Sequence, residues 1–197
     1  MRFVYKPRKA IAAIRFIADH NVPELTKGKV NKLLFLADKL HLVRFARPIT
    51  GDWYAAMPHG PVPSETDNLM DAFEAQNFEH PGVEPLAREI SLDRTYTYPR
   101  LAPSGPSLSP EAELSPSDKS VLSEIIDHFG SKSFSELRSI THEMPAYEKA
   151  WGSRTGNRGT IEFEDLFEED ENAVVGALEE AVENAKLRSV LSEPLWD

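Results

Sequence analysis

Apolar and polar positions divide the chain into helices of different kinds, separated by proline- and glycine-marked breaks. Residues 8–20 place Ile11, Ile14, Ile17 and Ala18 at helical spacing, with Ala10 and Ala13 beside them. That pattern predicts an amphipathic helix with a small-residue shoulder. Pro23 disfavours helix at Val22 and breaks the run. A second helix is expected to start near Thr26. In it Val30, Leu33, Leu34, Ala37, Leu40 and His41 form one stripe, and Phe35, Leu36, Leu42, Val43 and Phe45 add apolar surface around the rest. A helix apolar nearly all round is one on which other elements pack. It is therefore placed at the centre of the fold. Asp38 lies inside this run. A buried carboxylate needs partners, so Asp38 is expected on an exposed edge or hydrogen-bonded to something specific.

Pro48 is expected to end this helix. Thr50-Gly51-Asp52 reads as a turn and Trp53-Tyr54-Ala55-Ala56-Met57 as a short strand. Pro58 and Pro61 bracket His59-Gly60, which predicts a rigid loop. Ser64-Glu65-Thr66-Asp67 has capping-box spacing and opens a helix carrying Leu69, Met70 and Phe73. Residues 79–87 read as loop, and Glu89–Leu92 with Thr95–Tyr98 as a hairpin. Residues 102–117, rich in proline and serine, read as an irregular connection within one domain. Ser115-Pro116-Ser117-Asp118 is a helix start, followed by Val121, Leu122, Ile125, Ile126 and Phe129 and stopped at Gly130. Ser133 and Glu136 cap the next helix, which closes at Thr141-His142, and Pro145 begins one more, ending near Trp151. A last acidic helix is expected from about Asp170 to Leu191. The fold class that follows is α+β and mostly helical, a helical domain around residues 26–45 with a small β element. The expected division is a domain over 1–160 and an acidic helical extension over 161–197, packed on or beside it.

Composition narrows the chemistry. The chain of 197 residues has no cysteine, which excludes disulfides, thiolate metal ligands and thiol nucleophiles. Arg15 and Asp19 interrupt the N-terminal apolar run, so a secretory signal is not expected there. No window reaches the roughly 18 apolar residues of a membrane span. A cytoplasmic location and no membrane partner are the expectation. The net charge of −10 is unevenly placed: residues 1–47 hold 11 Lys/Arg against 3 Asp/Glu, and residues 101–197 hold 8 against 20. Nucleic-acid affinity comes largely from neutralising phosphates, so an acidic chain disfavours it as a partner. Residues 162–183 hold ten acids and no base. That run reads either as a solvated helix face or as an attraction to a basic partner surface.

Three pieces together resemble the Panacea domain, the SocA-like antitoxin family. They are Lys32-Leu33-Leu34-Phe35-Leu36-Ala37-Asp38, the run from Pro48 through Thr50-Gly51-Asp52-Trp53-Tyr54 and His59-Gly60-Pro61-Val62 to Ser64, and Ser139-Ile140-Thr141-His142 with Trp151 shortly after. The match spans roughly residues 10–151. The resemblance implies an antitoxin of a two-gene toxin–antitoxin pair, neutralising a co-encoded protein toxin by direct binding. It also implies, for some members, an adaptor that delivers the toxin to a bacterial ATP-dependent protease. The expected partners are thus a cognate toxin and, secondarily, a protease or chaperone.

The candidate partner-binding residues are Trp53, Tyr54, His59, Gly60, Pro61 and Val62. Aromatic side chains on preorganised backbone are typical interface hot spots, although the same loop could be a structural turn alone. Asp38, Gly51, Asp52, Thr141, His142 and Trp151 are candidate structural motif residues. Asp38, His59 and His142 could instead form an acid–base or metal-dependent hydrolase site, but no His-x3-His or His-Glu-x-x-His spacing is present. The competing reading has His142 or His41 bonded to Asp38 or to backbone. No Gly-x-Ser-x-Gly and no phosphate-cradling glycine loop occurs. No catalytic residue, metal or cofactor is assigned, and the chain is read as a binding protein rather than an enzyme.

Overall fold

Helix α2 (Lys27–Phe45) carries the rest of the molecule. In this computed structural model, which describes residues 2–168 together with 182 and 183, it buries Val30, Leu33, Leu34, Phe35, Leu36, Ala37, Leu42 and Val43. It also buries Lys29, Asn31, Lys32, Asp38 and His41, so polar groups point inward on several sides. Thr26 caps its start by accepting from the Lys29 amide. Its end is set by Ala46, which takes a left-handed conformation at φ +53° just before the expected stop at Pro48.

Helix α1 (Pro7–Asp19) lays Ile11, Ile14, Ile17 and Ala18 into the same core, as its spacing requires. Three antiparallel strands follow the order β2-β1-β5, with β1 (Tyr54–Met57) between β2 (Gly60–Pro63) and β5 (Gly159–Ile161). Tyr54 pairs with Pro63 on one side and Ile161 on the other. The expected rigid loop is therefore a β-hairpin, closed by Pro58-His59. Helix α3 (Ser64–Glu74) starts directly from β2. Its expected capping box does not form: the cap residue is Pro63, without a side-chain bond, and Asp52 supplies the acceptors instead.

Residues 79–87 are not all loop, because α4 (Val83–Glu89) forms there and buries Val83 and Leu86. Strands β3 (Ile90–Asp93) and β4 (Arg100–Pro103) make the expected hairpin with its second strand displaced toward the C-terminus. The serine- and proline-rich connection contains one short helix, α5 (Ser109–Glu113). Helices α6 (Pro116–Phe129) and α7 (Phe134–His142) each begin with the predicted capping box, Ser115 with Asp118 and Ser133 with Glu136. Helix α8 (Pro145–Gly152) supports the sheet. A Cβ on Gly159 would lie 2.1 Å from the Ala150 carbonyl oxygen, so β5 lies directly on α8. After β5, α9 (Phe163–Glu168) adds the buried side chains Phe163, Leu166 and Phe167 to the common core. The core thus continues across the division expected at residue 160. The acidic helix expected from Asp170 to Leu191 lies outside the described residues, apart from 182 and 183. The described part is mostly helical with two small antiparallel sheets, the fold class the sequence pattern predicts.

Candidate functional site: the β1–β2 hairpin and its supports

Asp38 organises the turn that leads into the hairpin. It is fully buried, and its Oδ1 accepts from the amides of Ile49 at 2.8 Å and Thr50 at 3.1 Å. Its Oδ2 accepts from the Thr50 hydroxyl at 2.5 Å and the Tyr54 hydroxyl at 2.9 Å. All the acceptor capacity of the carboxylate is used. Burial lifts the Asp38 carboxyl above the usual range, although the bonds from Thr50, Tyr54 and Ile49 pull it down. Of the two places expected for Asp38, it occupies the hydrogen-bonded one.

Gly51 turns the chain at φ +72°, and a Cβ there would lie 2.1 Å from the Val4 carbonyl oxygen. Only glycine permits both that conformation and that approach. The Asp52 carboxylate then accepts from the amides of Glu65 at 3.0 Å and Thr66 at 2.8 Å, capping α3 from thirteen residues upstream. Burial pushes the Asp52 carboxyl up to about 6 against those two bonds.

The hairpin tip is held from below by three donors on three helices. Lys32 of α2 donates to the Pro61 carbonyl at 2.8 Å. Arg138 of α7 reaches the Pro58 carbonyl at 3.4 Å. Tyr147 of α8 donates to the Met57 carbonyl at 2.9 Å. Lys32 is 1% exposed, and burial pushes its ammonium down to about 7. Gly60 makes room for it at φ +99°: a Cβ there would stand 2.9 Å from Lys32 Cε and 3.0 Å from Thr141 Oγ1. Gly60→Ala is expected to destabilise the domain by about 2 kcal/mol through backbone strain and crowding. At about 2–4 °C per kcal/mol for a chain of this size, the midpoint falls by about 4–8 °C. Scanning calorimetry checks this, and Gly60→Ala in a Lys32→Met background should cost less than the sum of the two single changes.

The sequence-predicted site residues separate into two sets. His59 is exposed, Trp53 is 39% exposed under the Arg158 guanidinium at 4.6 Å, and Val62 is half-buried. Tyr54, Gly60 and Pro61 are buried, so of the aromatics expected to be presented by the loop the Tyr54 ring lies inside the fold. The Tyr54 ring packs edge-on against Phe35 at 5.1 Å, and its hydroxyl is committed to Asp38. His142 stacks on Tyr147 at 4.5 Å, and Tyr147 on Trp151 at 6.1 Å. The His142 Nε2 is buried without a hydrogen-bond partner. Burial lowers the His142 pKa, and the nearby charges of Arg138, Lys32 and His59 lower it further. Thr141 is buried and its hydroxyl donates back to the Leu137 carbonyl at 2.9 Å.

Asp38, His59 and His142 do not converge. Asp38 is saturated by Ile49, Thr50 and Tyr54, so the hydrolase reading loses the geometry on which it stood. His41 does not bond Asp38 either; its Nδ1 meets the Arg47 carbonyl at 2.6 Å and its Nε2 meets Asp118 at 3.0 Å. Among the described residues no three metal-ligating side chains cluster. A cleft of about 250 Å3 between α2 and α6 is lined by Leu36, Leu40, Ile125 and Phe129 with Lys39, Glu124 and His128, none of them from the hairpin. Sequence reasoning missed Arg138 and Tyr147 and gave no role to Lys32. Their task is to hold carbonyls far away in sequence, and no local motif records that.

These elements define a helical domain that displays a clamped hairpin. A family model described as "Antitoxin SocA-like, Panacea domain" matches residues 30–151, and the chain belongs to that family. The matched segment begins inside α2 and ends in α8, so it contains most of α2, the hairpin and all three donors that hold it. No curated protein and no solved structure matches the chain.

Proposed function

We propose that this protein is the antitoxin of a toxin–antitoxin pair and neutralises a co-encoded protein toxin by direct binding, in the cytoplasm. The hairpin face is the contact surface, with His59 and Trp53 as its side-chain contacts. One observation carries this assignment: three donors from α2, α7 and α8 fix the carbonyls of Met57, Pro58 and Pro61 while His59 stays exposed. A loop ordered before binding loses little entropy on association. Membership in the SocA-like family supports the antitoxin role.

The test is expression of the neighbouring reading frame from the native locus, alone and together with this chain, followed by affinity measurement on the purified pair. The expected result is toxicity relieved on co-expression with a stable complex. His59→Ala and Trp53→Ala should each weaken that complex about 10- to 100-fold, the range of interface hot spots. A harmless neighbour, or relief without a complex, would overturn direct neutralisation. Toxin half-life, followed after blocking synthesis, separates occlusion from delivery to a protease: occlusion leaves it unchanged and an adaptor shortens it.

A further inference from the structure

We propose that the hairpin tip is a carboxylate-binding site that receives an acidic segment of the partner protein. The identity of the partner rests on the antitoxin reading; the chemistry of the site does not.

Four groups able to carry positive charge gather there: Lys32 beneath the tip, Arg138 and His142 from α7, and His59 at the turn itself. Arg138 touches Pro58 and Lys32 touches Pro61, so both flank the turn from below. His59, Arg138 and Lys32 all lie within electrostatic reach of His142. Among the described residues none of the four pairs with a carboxylate. Elsewhere the cations divide: Lys29 and Arg94 bond only backbone carbonyls and Arg158 the Ser64 hydroxyl, while others hold carboxylates. Lys9, Arg15, Lys27, Arg44, Arg47, Arg88, Arg100, Lys119 and Lys149 each meet one. The chain has 32 acids against 22 lysines and arginines, so internal carboxylates are in excess. At the tip four such groups stand together with none in contact, and the cluster is free to take a carboxylate from outside.

Two further features point to a ligand. The buried Nε2 of His142 has no partner, although buried polar atoms normally have one. Lys32 is buried with one hydrogen bond, to a carbonyl, and the Phe134 ring at 6.0 Å, for three ammonium donors. An anion above the tip would strengthen the charged form of this lysine without touching it, and the exposed Arg138 can offer its guanidinium directly. A nucleic acid is the poorer fit. A chain of net charge −10 repels an extended polyanion, while one acidic side chain or a short acidic segment meets only the local cluster.

The experiment is amide NMR titration of the full chain with a short acetylated oligoglutamate, a matched single-stranded oligonucleotide and inorganic phosphate. The glutamate peptide should shift Gly60, Arg138 and His142 saturably, and added salt should weaken the effect. Arg138→Glu should weaken it at least about tenfold while leaving the melting temperature within about 1–2 °C, since an exposed side chain seldom moves stability further. No shift at the tip, or an unchanged response in Arg138→Glu, overturns the proposal. Tighter binding of the oligonucleotide, or equal binding of phosphate, overturns the assignment to protein carboxylates. With the partner in hand, Arg138→Glu should weaken the complex about tenfold, and an acid-to-lysine change in the partner should restore it. If the partner fails to bind the wild-type chain, the antitoxin reading fails, and the peptide titration still decides the site.

Discussion

Asp38→Ala is expected to lower the stability of the domain by about 3–5 kcal/mol, the cost of leaving buried hydrogen-bonding groups without their charged partner. Two amides and two hydroxyls lose their acceptor at once. The hydroxyls of Thr50 and Tyr54 can turn toward each other or toward an entering water. The amides of Ile49 and Thr50 cannot, because the backbone fixes their direction. At about 2–4 °C per kcal/mol, the melting temperature should fall by roughly 6–20 °C. Asp38→Asn should cost less, since its amide oxygen still accepts from both backbone groups. If Asp38→Ala melts within about 2 °C of wild type, the turn from Arg47 to Asp52 is not organised by this carboxylate.

The consequence reaches the site. The Thr50 hydroxyl accepts from the Asp52 amide at 3.1 Å and donates to the Asp38 carboxylate. Asp52 in turn caps α3 at the far end of the hairpin. Asp38 therefore fixes where β1 begins, and Asp52 fixes where β2 ends. In an antitoxin that binds through the hairpin, Asp38→Ala should lose affinity together with stability. Arg138→Glu should lose affinity with a far smaller loss of stability, because its one bond to the hairpin, to Pro58, is long and exposed. That difference separates residues that shape the surface from residues that touch the partner.

How far the sequence could be read depends on how local each signal is. The α2 pattern and the two capping boxes lie within a few residues, so periodicity and cap chemistry reveal them. Pro85 hid α4, because proline reads as a break; yet it stands in the first turn, where its missing N–H is not needed. The Ser64-to-Asp67 spacing suggested a local cap, but Asp52 reaches α3 first, since the hairpin brings the two ends together. Tyr54 read as a partner contact because it stands beside Trp53 in a short strand next to a rigid loop, and a lone strand shows no second neighbour. Strand β5 is that neighbour, and Phe163 closes over the ring at 6.5 Å. Nothing in Gly159-Thr160-Ile161 alone announces a third strand. The candidate site follows the same rule: His59 and Trp53 stand inside the motif, whereas Lys32, Arg138 and Tyr147 act across 29, 80 and 90 positions.

Asp118→Ala should cost about as much as Asp38→Ala, about 3–5 kcal/mol, through opposite electrostatics. Asp118 is fully buried where α1, α2 and α6 meet. It bonds Lys9 of α1, His41 of α2 at 3.0 Å and Arg47 at 3.0 Å, and it closes the capping box with Ser115. Burial alone would raise its carboxyl. The bonds from His41, Lys9 and the Ser115 amide outweigh burial and hold it well below the usual carboxylate range. Removing it takes the shared carboxylate away from Lys9, His41 and Arg47 at once. The sign of the pH dependence follows. A depressed carboxyl stabilises the fold above its unfolded value of about 3.9, and that contribution is lost as pH falls further. The gap between wild type and Asp118→Ala should therefore be largest near neutral pH and shrink by about 1 kcal/mol by about pH 3. Asp38 has a raised carboxyl, so its native state takes up the proton first, and wild type gains on Asp38→Ala as pH falls. Denaturant unfolding of both variants at about pH 7 and pH 3 should show one gap narrowing and the other widening. Two narrowing gaps would mean that the Asp38 carboxyl lies below its unfolded value, and two widening gaps that the Asp118 carboxyl lies above it; either outcome overturns the assignment.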